Sequence, residues 1–568
     1  MRWHFISNVV AAVLWSGVVA LSSEEISNPA VDAIFADLTK PGSPGCALGI
    51  YRDGKIIYAK GYGLANVEEN LPITTQSVFD IASVSKQFTA ASILLLKRQG
   101  KLRLDDDIRK YVPELPNYSS RGRGRITILQ LLNHTSGLRD YGNLFSLAGM
   151  DDDDVTTDED ALGIIVRQKA LNFAPGSEWQ YSNSGYLLLS SIVKRVSGKS
   201  LKEFAADNIF QPLGMAHTQY RDDHTFLIPH RVQAYSRTQN GGYRLNMSYA
   251  EETGDGMVHT TLEDLQKWDE NFYSGKVGGK DFAAEMEENG KLNDGRVVEY
   301  AKGLRIWRYR GLPAVAHTGG SGGYRAYYIR FPEQHFSVSC FCNLEDVNRR
   351  KRVGAVIETY LGGLGERSED EDAVVPGPTP QELGALVGAY QDAKSREVWR
   401  VAMRDNKLWV DFEGVPLELR ALSQTDFEPV DYAFDLHMKF QRQSEKGTRR
   451  LIVKREMELP ATLQAIEEAR PSEAKLAPYV GDYWSDEVRA TYRITVKAGK
   501  LRLQQVIGAD GIVHRTLPFD ELKPLQGDEF ALTGAPIVFR FVRKTTVTGF
   551  VLNGFHERGI LFVRKKTD

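Results

Sequence analysis

The segment ERSEDEDAVVPGPTPQE, residues 366–382, divides the chain into two parts that cannot share one fold. Being acidic and proline-rich, it reads as a linker. Before it, long apolar stretches of helical period are interspersed with a few strand patterns. Beyond it the helical period vanishes and short alternating segments take over. A chain of 568 residues is in any case too long for a single core.

The second part repeats itself. LGALVGAY at 383–390 returns as LAPYVGDY at 476–483, and Asn406-Lys407-Leu408 returns as Gly499-Lys500-Leu501, both at an offset of 93. One offset shared by two matches predicts two copies of a small all-β unit, 383–465 and 472–568, each a meander closed into a barrel. Phe427 and Phe530 stand 103 apart, so the second copy carries about ten more residues before that point.

The first part, residues 24–365, reads as α+β. GCALGIYRDGKIIYAKGYG is two strands around Arg52-Asp53-Gly54, a hairpin signal, and KGLRIWRYR, AYYIRF and HFSVSCFC return as strands near its end. Between and around them lie helices, including one from Ser83 to Gly100 that is apolar on nearly every side. Helix, hairpin, helices, strands and helix in that order predict an antiparallel sheet flanked by helices.

Residues 1–23 have a basic start, an uncharged stretch from Phe5 to Leu21 and small residues at Ala20 and Ser22. This is the layout of a secretory signal peptide cut near Ser22, and it predicts export to the periplasm or the medium; an uncleaved signal anchor is the alternative. No later apolar run is long enough to span a membrane. A net charge of −3 leaves no electrostatic footprint for nucleic acid. The acidic run at 151–154 reads as a solvated loop. Cys46, Cys340 and Cys342 make no disulfide framework and are expected as buried, inert thiols, the last two on the same side of one strand. The histidines lack metal-ligand spacing, so no metal and no cofactor is expected.

Three short motifs could carry chemistry. Ser83 and Lys86 lie three apart, one turn of the buried helix. An amine at the mouth of a buried helix sheds its proton cheaply, and a neutral lysine beside a hydroxyl is a general base beside a nucleophile. The Ser83 N–H, in the first helical turn, is a candidate oxyanion donor. Ser191-Lys194 and Ser472-Lys475 have the same spacing and read as a helix face and a linker. Tyr181 and Asn183 stand between a Pro175-Gly176 turn and another apolar helix, placed to relay a proton and to hold a substrate carbonyl; Tyr141-Asn143 repeats that spacing. His317-Thr318-Gly319-Gly320 opens into a strand, where glycine lets a substrate lie against the backbone and the Gly320 N–H is a second oxyanion candidate.

The order S-x-x-K, Y-x-N, H-T-G resembles the penicillin-recognising serine hydrolases: class C β-lactamases, D-alanyl-D-alanine carboxypeptidases, D-aminopeptidases and related carboxylesterases. LLNHTSGLRDY at 131–141, PLGM at 212–215 and GDGMVHTTLEDLQKW at 254–268 extend the resemblance to roughly residues 28–365. It implies Ser83 as nucleophile, Lys86 and Tyr181 as proton-transfer groups, Asn183 as ligand of substrate and lysine, and His317, Thr318, Gly319 and Gly320 as the strand lining the site. β-Lactamases usually have lysine where this chain has His317, which argues against efficient β-lactam hydrolysis. The histidine motif with two trailing barrels is similar to D-aminopeptidases, whose second barrel sends an acidic loop into the site. The comparable link here, FALTGAPIVFRF at 530–541, is short and uncharged at its turn; the extra residues lie around VIGADGIVHRT, which makes Asp510 a candidate substitute. The expected function is that of an exported serine hydrolase acting through an acyl-enzyme on small amides or esters, foremost peptides containing D-amino acids. A carboxylesterase, or a non-catalytic receptor for cell-wall fragments, is the alternative, and the oligomeric state is left open.

Overall fold

The computed structural model describes residues 28–566 apart from 120, 121, 123, 152, 364–376, 413–414, 431–435, 442–448, 456–458, 510, 512, 516–520 and 555. The expected signal segment, most of the linker and Asp510 therefore lie outside the described residues. Among the described residues no helix is long and apolar enough to cross a membrane.

Helix α1 (Pro29–Ile34), capped by Asn28, leads into strands β1 (Cys46–Arg52) and β2 (Lys55–Tyr62). Asp53 and Gly54 both have positive φ, 51° and 71°, as a tight Asp-Gly hairpin requires. After the helical body come β3 (Arg305–Tyr309), β4 (Leu312–Ser321), β5 (Tyr324–Phe331) and β6 (Phe336–Cys342), and the six strands form one antiparallel sheet in the order β3-β4-β5-β6-β1-β2. The sheet is buried on both faces. Cys46, Leu48 and Ile50 of β1 meet α1 and the last helix of this domain, Arg349–Leu361, whereas Ala47 turns to the helical body on the other side. That alternation is the period of two expected of a strand.

The β1–β6 pairing overturns the expectation for the cysteines. Its register sets Cys46 opposite Cys342, with Cα atoms 4.0 Å apart, and the two form a disulfide across 296 residues. Cys340 remains a buried free thiol 3.7 Å from the Cys342 sulfur. Spacing along the chain carries no information about which distant strands pair, and that pairing alone brings the sulfurs together.

In the helical body, α2 (Lys86–Arg98) is buried nearly all round, its Phe88 ring 4.8 Å from Trp268. It ends where Gly100 takes φ 70°. A second buried helix, α3 (Asn183–Ser197), packs against it and ends at Gly198 in the left-handed region.

Beyond the linker both copies close. Eight strands from Gly388–Asp392 to Ala461–Ile466 form one barrel, and eight from Gly481–Ser485 to Glu557–Arg564 form the other, with a short ninth strand, Val513–Arg515, appended to it. The offset of 93 is structural: Tyr390 and Tyr483 are fully buried, and each hydroxyl donates over 2.7 Å to the carbonyl four residues back, of Leu386 and Tyr479. Among the described residues, strand Lys500–Gly508 of the second copy runs longer than its counterpart Lys407–Phe412, and Val513–Arg515 adds the ninth strand. The link around Gly534, Ala535 and Pro536 lies in a crevice with Trp399 and Arg455 of the first barrel.

Candidate active site

The chain reaches Ser83 through a forced turn. Ala82 has φ 46°, a left-handed conformation that costs a residue bearing Cβ about 1–2 kcal/mol, and the Asp80 carboxylate accepts the Ala82 N–H at 2.8 Å to hold it. A single 3₁₀ turn, Ala82–Ser85, then runs into α2, so Lys86 lies one turn beyond Ser83.

Lys86 is 0 % exposed. Its Nζ donates to Ser83 Oγ at 3.0 Å, Asn183 Oδ1 at 2.8 Å and the Asp255 carbonyl at 2.7 Å, and it lies 4.9 Å from the centre of the Tyr181 ring. Three donors thus meet three acceptors. Burial pushes the lysine down to about 8, against the pull of Asp255 and Asp140, which favour its charged form. Both acids are themselves pushed up by burial, Asp255 to about 6.

Tyr181 and Asn183 reach the same point because Ser182 between them is extended, φ −150° and ψ 120°, and residues two apart in extended chain face one way. The Asn183 N–H donates to the Asp140 carboxylate at 2.5 Å, and the Ser182 N–H to His134 Nδ1 at 3.2 Å. The Tyr181 phenol has no hydrogen bond of regular geometry among the described residues; it faces Ser83 closely enough for the serine to favour ionisation, but burial dominates and holds its pKa well above the usual 10. It is a neutral phenol at physiological pH.

The third motif lies on β4. A Cβ built on Gly319 would fall 2.2 Å from the Ile81 carbonyl oxygen, so only glycine lets this strand pass so close to the nucleophile turn. Pairing with β3 stops at Ala316, so that edge of residues 317–321 has no strand partner among the described residues. Gly320 is exposed there, and Thr318 is half-buried. His317 turns inward among aromatic rings, its Nε2 3.0 Å from Tyr300 Oη and its Nδ1 2.6 Å from the Thr318 carbonyl. Burial, aided by Lys86, pushes it down to about 3, so it carries no charge near neutrality.

The structure thus gathers Ser83, Lys86, Tyr181, Asn183 and the β4 stretch around one point. It also adds residues that sequence reasoning did not single out. Asp140 orients Asn183, Asp255 supplies a lysine acceptor and receives the Tyr141 hydroxyl at 3.0 Å, and the His134 ring lies tilted with its centre 4.3 Å from that of Tyr181. His134, Asp140 and Asp255 all lie in LLNHTSGLRDY and GDGMVHTT, quoted above only as further matches; no spacing rule marked the individual side chains.

A serine bonded to a desolvated lysine, below the free edge of an antiparallel sheet, defines a serine hydrolase. The chain belongs to the beta-lactamase family, whose model it matches over residues 31–360. It is 31 % identical over 410 residues to a penicillin-binding protein of Bacillus subtilis (strain 168), covering 66 % of this chain and 85 % of the relative. With the D-aminopeptidase of Gluconobacter oxydans (strain 621H) it shares 26 % identity over 388 residues, 68 % of this chain and 70 % of that one. The octameric penicillin-binding protein homologue from Pyrococcus abyssi has the same fold at a TM-score of 0.54 and 22 % identity, covering 76 % of this chain and 99 % of its own.

Proposed function

We propose that Ser83 forms an acyl-enzyme on small amides or esters, foremost peptides containing D-amino acids, and that water then releases the acyl group. The observation that carries this reading is the buried Lys86 amine 3.0 Å from the Ser83 hydroxyl. With a pKa near 8, about a tenth of Lys86 is neutral at pH 7. Neutral Lys86 takes the proton as Oγ attacks the carbonyl carbon. The oxyanion is held by the Ser83 N–H and a backbone N–H of the unpaired β4 edge, with Gly320 the candidate. Collapse breaks the C–N or C–O bond, and the leaving group takes a proton from the Tyr181 phenol, which recovers one from the Lys86 ammonium. Water repeats the sequence on the acyl-enzyme. Because Tyr181 is neutral and Lys86 partly so, the lysine is the acylation base and the tyrosine the relay.

An uncharged His317, with Asp140 and Asp255 near the amine, suits a neutral or aminoacyl substrate better than an anionic one. The D-aminopeptidase relative supports the same class. A carboxylesterase is the second reading, since the same machinery cleaves esters. The Cys46–Cys342 disulfide is in keeping with the proposed export to an oxidising compartment.

Treatment with a fluorophosphonate followed by peptide mapping tests the acyl-enzyme: the adduct is expected on Ser83 and absent from Ser83→Ala. Label elsewhere, or none, refutes it. Turnover of D-alanyl anilides, D-alanyl-D-alanine and p-nitrophenyl esters by parent and Ser83→Ala then separates peptidase from esterase.

A further inference from the structure

We infer that Glu557, on the last hairpin of the second barrel, is a positioning residue of the active site, so that the barrel completes the hydrolase rather than trailing from it. The inference rests on the acyl-enzyme reading above.

The hairpin pairs Val547–Gly554 with Glu557–Arg564 and turns against the hydrolase domain. Glu557 is fully buried there. Its Oε1 accepts the Asp140 N–H and the Asn143 amide, each at 3.0 Å, and its Oε2 accepts the Asn172 amide at 3.1 Å. Asp140 in turn receives the Asn183 N–H, and Asn183 Oδ1 receives Lys86 Nζ. Three links therefore join a barrel carboxylate to the general base.

A second contact reaches the tyrosine. Gln180, the residue before Tyr181, donates to the His556 carbonyl at 2.9 Å, and Arg558 pairs with Glu178 at 3.2 Å. Arg139, next to Asp140, donates to the Arg558 carbonyl at 2.7 Å and pairs at 2.6 Å with Glu487 of the same barrel, both side chains almost wholly buried. The first barrel braces the turn from behind, with Arg455 3.0 Å from His556 Nε2. One hairpin thus fixes the loop carrying Asp140 and the approach to Tyr181 from two sides. Among the described residues, none of these hydrogen bonds reaches the side chain of Ser83, Lys86, Tyr181 or Asn183, so the hairpin acts through position. A displacement of the order of 1 Å in such a support is enough to slow chemistry about a hundredfold.

The test is the rate constant for fluorophosphonate acylation of Ser83, per titratable site, in the full chain. Glu557→Ala is expected to lower it about tenfold or more. Glu557→Gln, which keeps a carbonyl acceptor for Asp140 and Asn143, is expected to recover most of the loss. A purely structural role would lower the thermal midpoint yet leave the folded fraction reacting at the parent rate. That result, or equal losses in the Gln and Ala variants, overturns the inference. If Glu557→Ala does not fold, Gln180→Ala breaks only the link to the His556 carbonyl and is expected to slow acylation about threefold or more; the parent rate would overturn the inference. A parent protein that takes no label refutes the acyl-enzyme itself, a distinct outcome.

Discussion

Replacing Asp255 by asparagine should make the enzyme faster near pH 7. Lys86 is a base only when neutral, and with its pKa near 8 the neutral fraction falls about tenfold per pH unit below that, to about 1 % at pH 6. Burial alone would push the lysine lower; the Asp255 carboxylate is the larger of two charges holding it up. An asparagine has nearly the same shape, keeps the backbone carbonyl that accepts Lys86 Nζ, and retains an acceptor for the Tyr141 hydroxyl. Removing one close opposite charge lowers a lysine by about one unit at the small end of the usual range. Fluorophosphonate acylation of parent and Asp255→Asn, measured from pH 5.5 to 9.5, is the assay. In the parent the rate should rise with pH and level off above about 8. In the variant the midpoint should fall to about 7, giving a gain of about threefold near pH 7 that narrows toward pH 6, where Asp255 of the parent is itself about half protonated, and no gain on the plateau, where the weaker base is fully neutral in both proteins. An unmoved or raised midpoint would refute the assignment of Lys86 as base.

Gly319→Val should abolish acylation while the protein still folds, because a side chain there meets the Ile81 carbonyl and drives β4 from the nucleophile turn; a loss of about 1–3 kcal/mol in urea unfolding should accompany it. Titration with a thiol reagent in denaturant without reductant should find one thiol per chain, and Cys46→Ser should lower stability by about 2–5 kcal/mol. Three free thiols in protein produced under oxidising conditions would contradict the β1–β6 pairing as described.

Much of the molecule is written locally and was therefore legible. The Asp53-Gly54 hairpin, the helix from Ser83 to Gly100 and the duplicated barrel units each depend on contacts within a short window or on a repeat of the same window. Ser83 and Lys86 were visible for the same reason, since helical geometry alone puts residues three apart on one face. Tyr181 and Asn183 needed only an extended residue between them.

What stayed hidden depends on which distant segments meet. Ser83, Asn183 and Asp255 converge on one amine only because α2 and α3 pack together with the 254–258 loop beside them, and no pattern along the chain encodes that encounter. The Cys46–Cys342 pair is hidden in the same way. So is Glu557, an unremarked glutamate at the end of a barrel strand until the barrel docks, 417 residues from its Asp140 partner. Sequence alone determined the elements, their order and the pairing of Ser83 with Lys86 that the proposed mechanism uses, because backbone geometry enforces those over a few residues. The tertiary structure alone decided the charge state of Lys86, His317 and Tyr181 and the part played by the barrels, because desolvation and long-range hydrogen bonds exist only once the chain has closed around them.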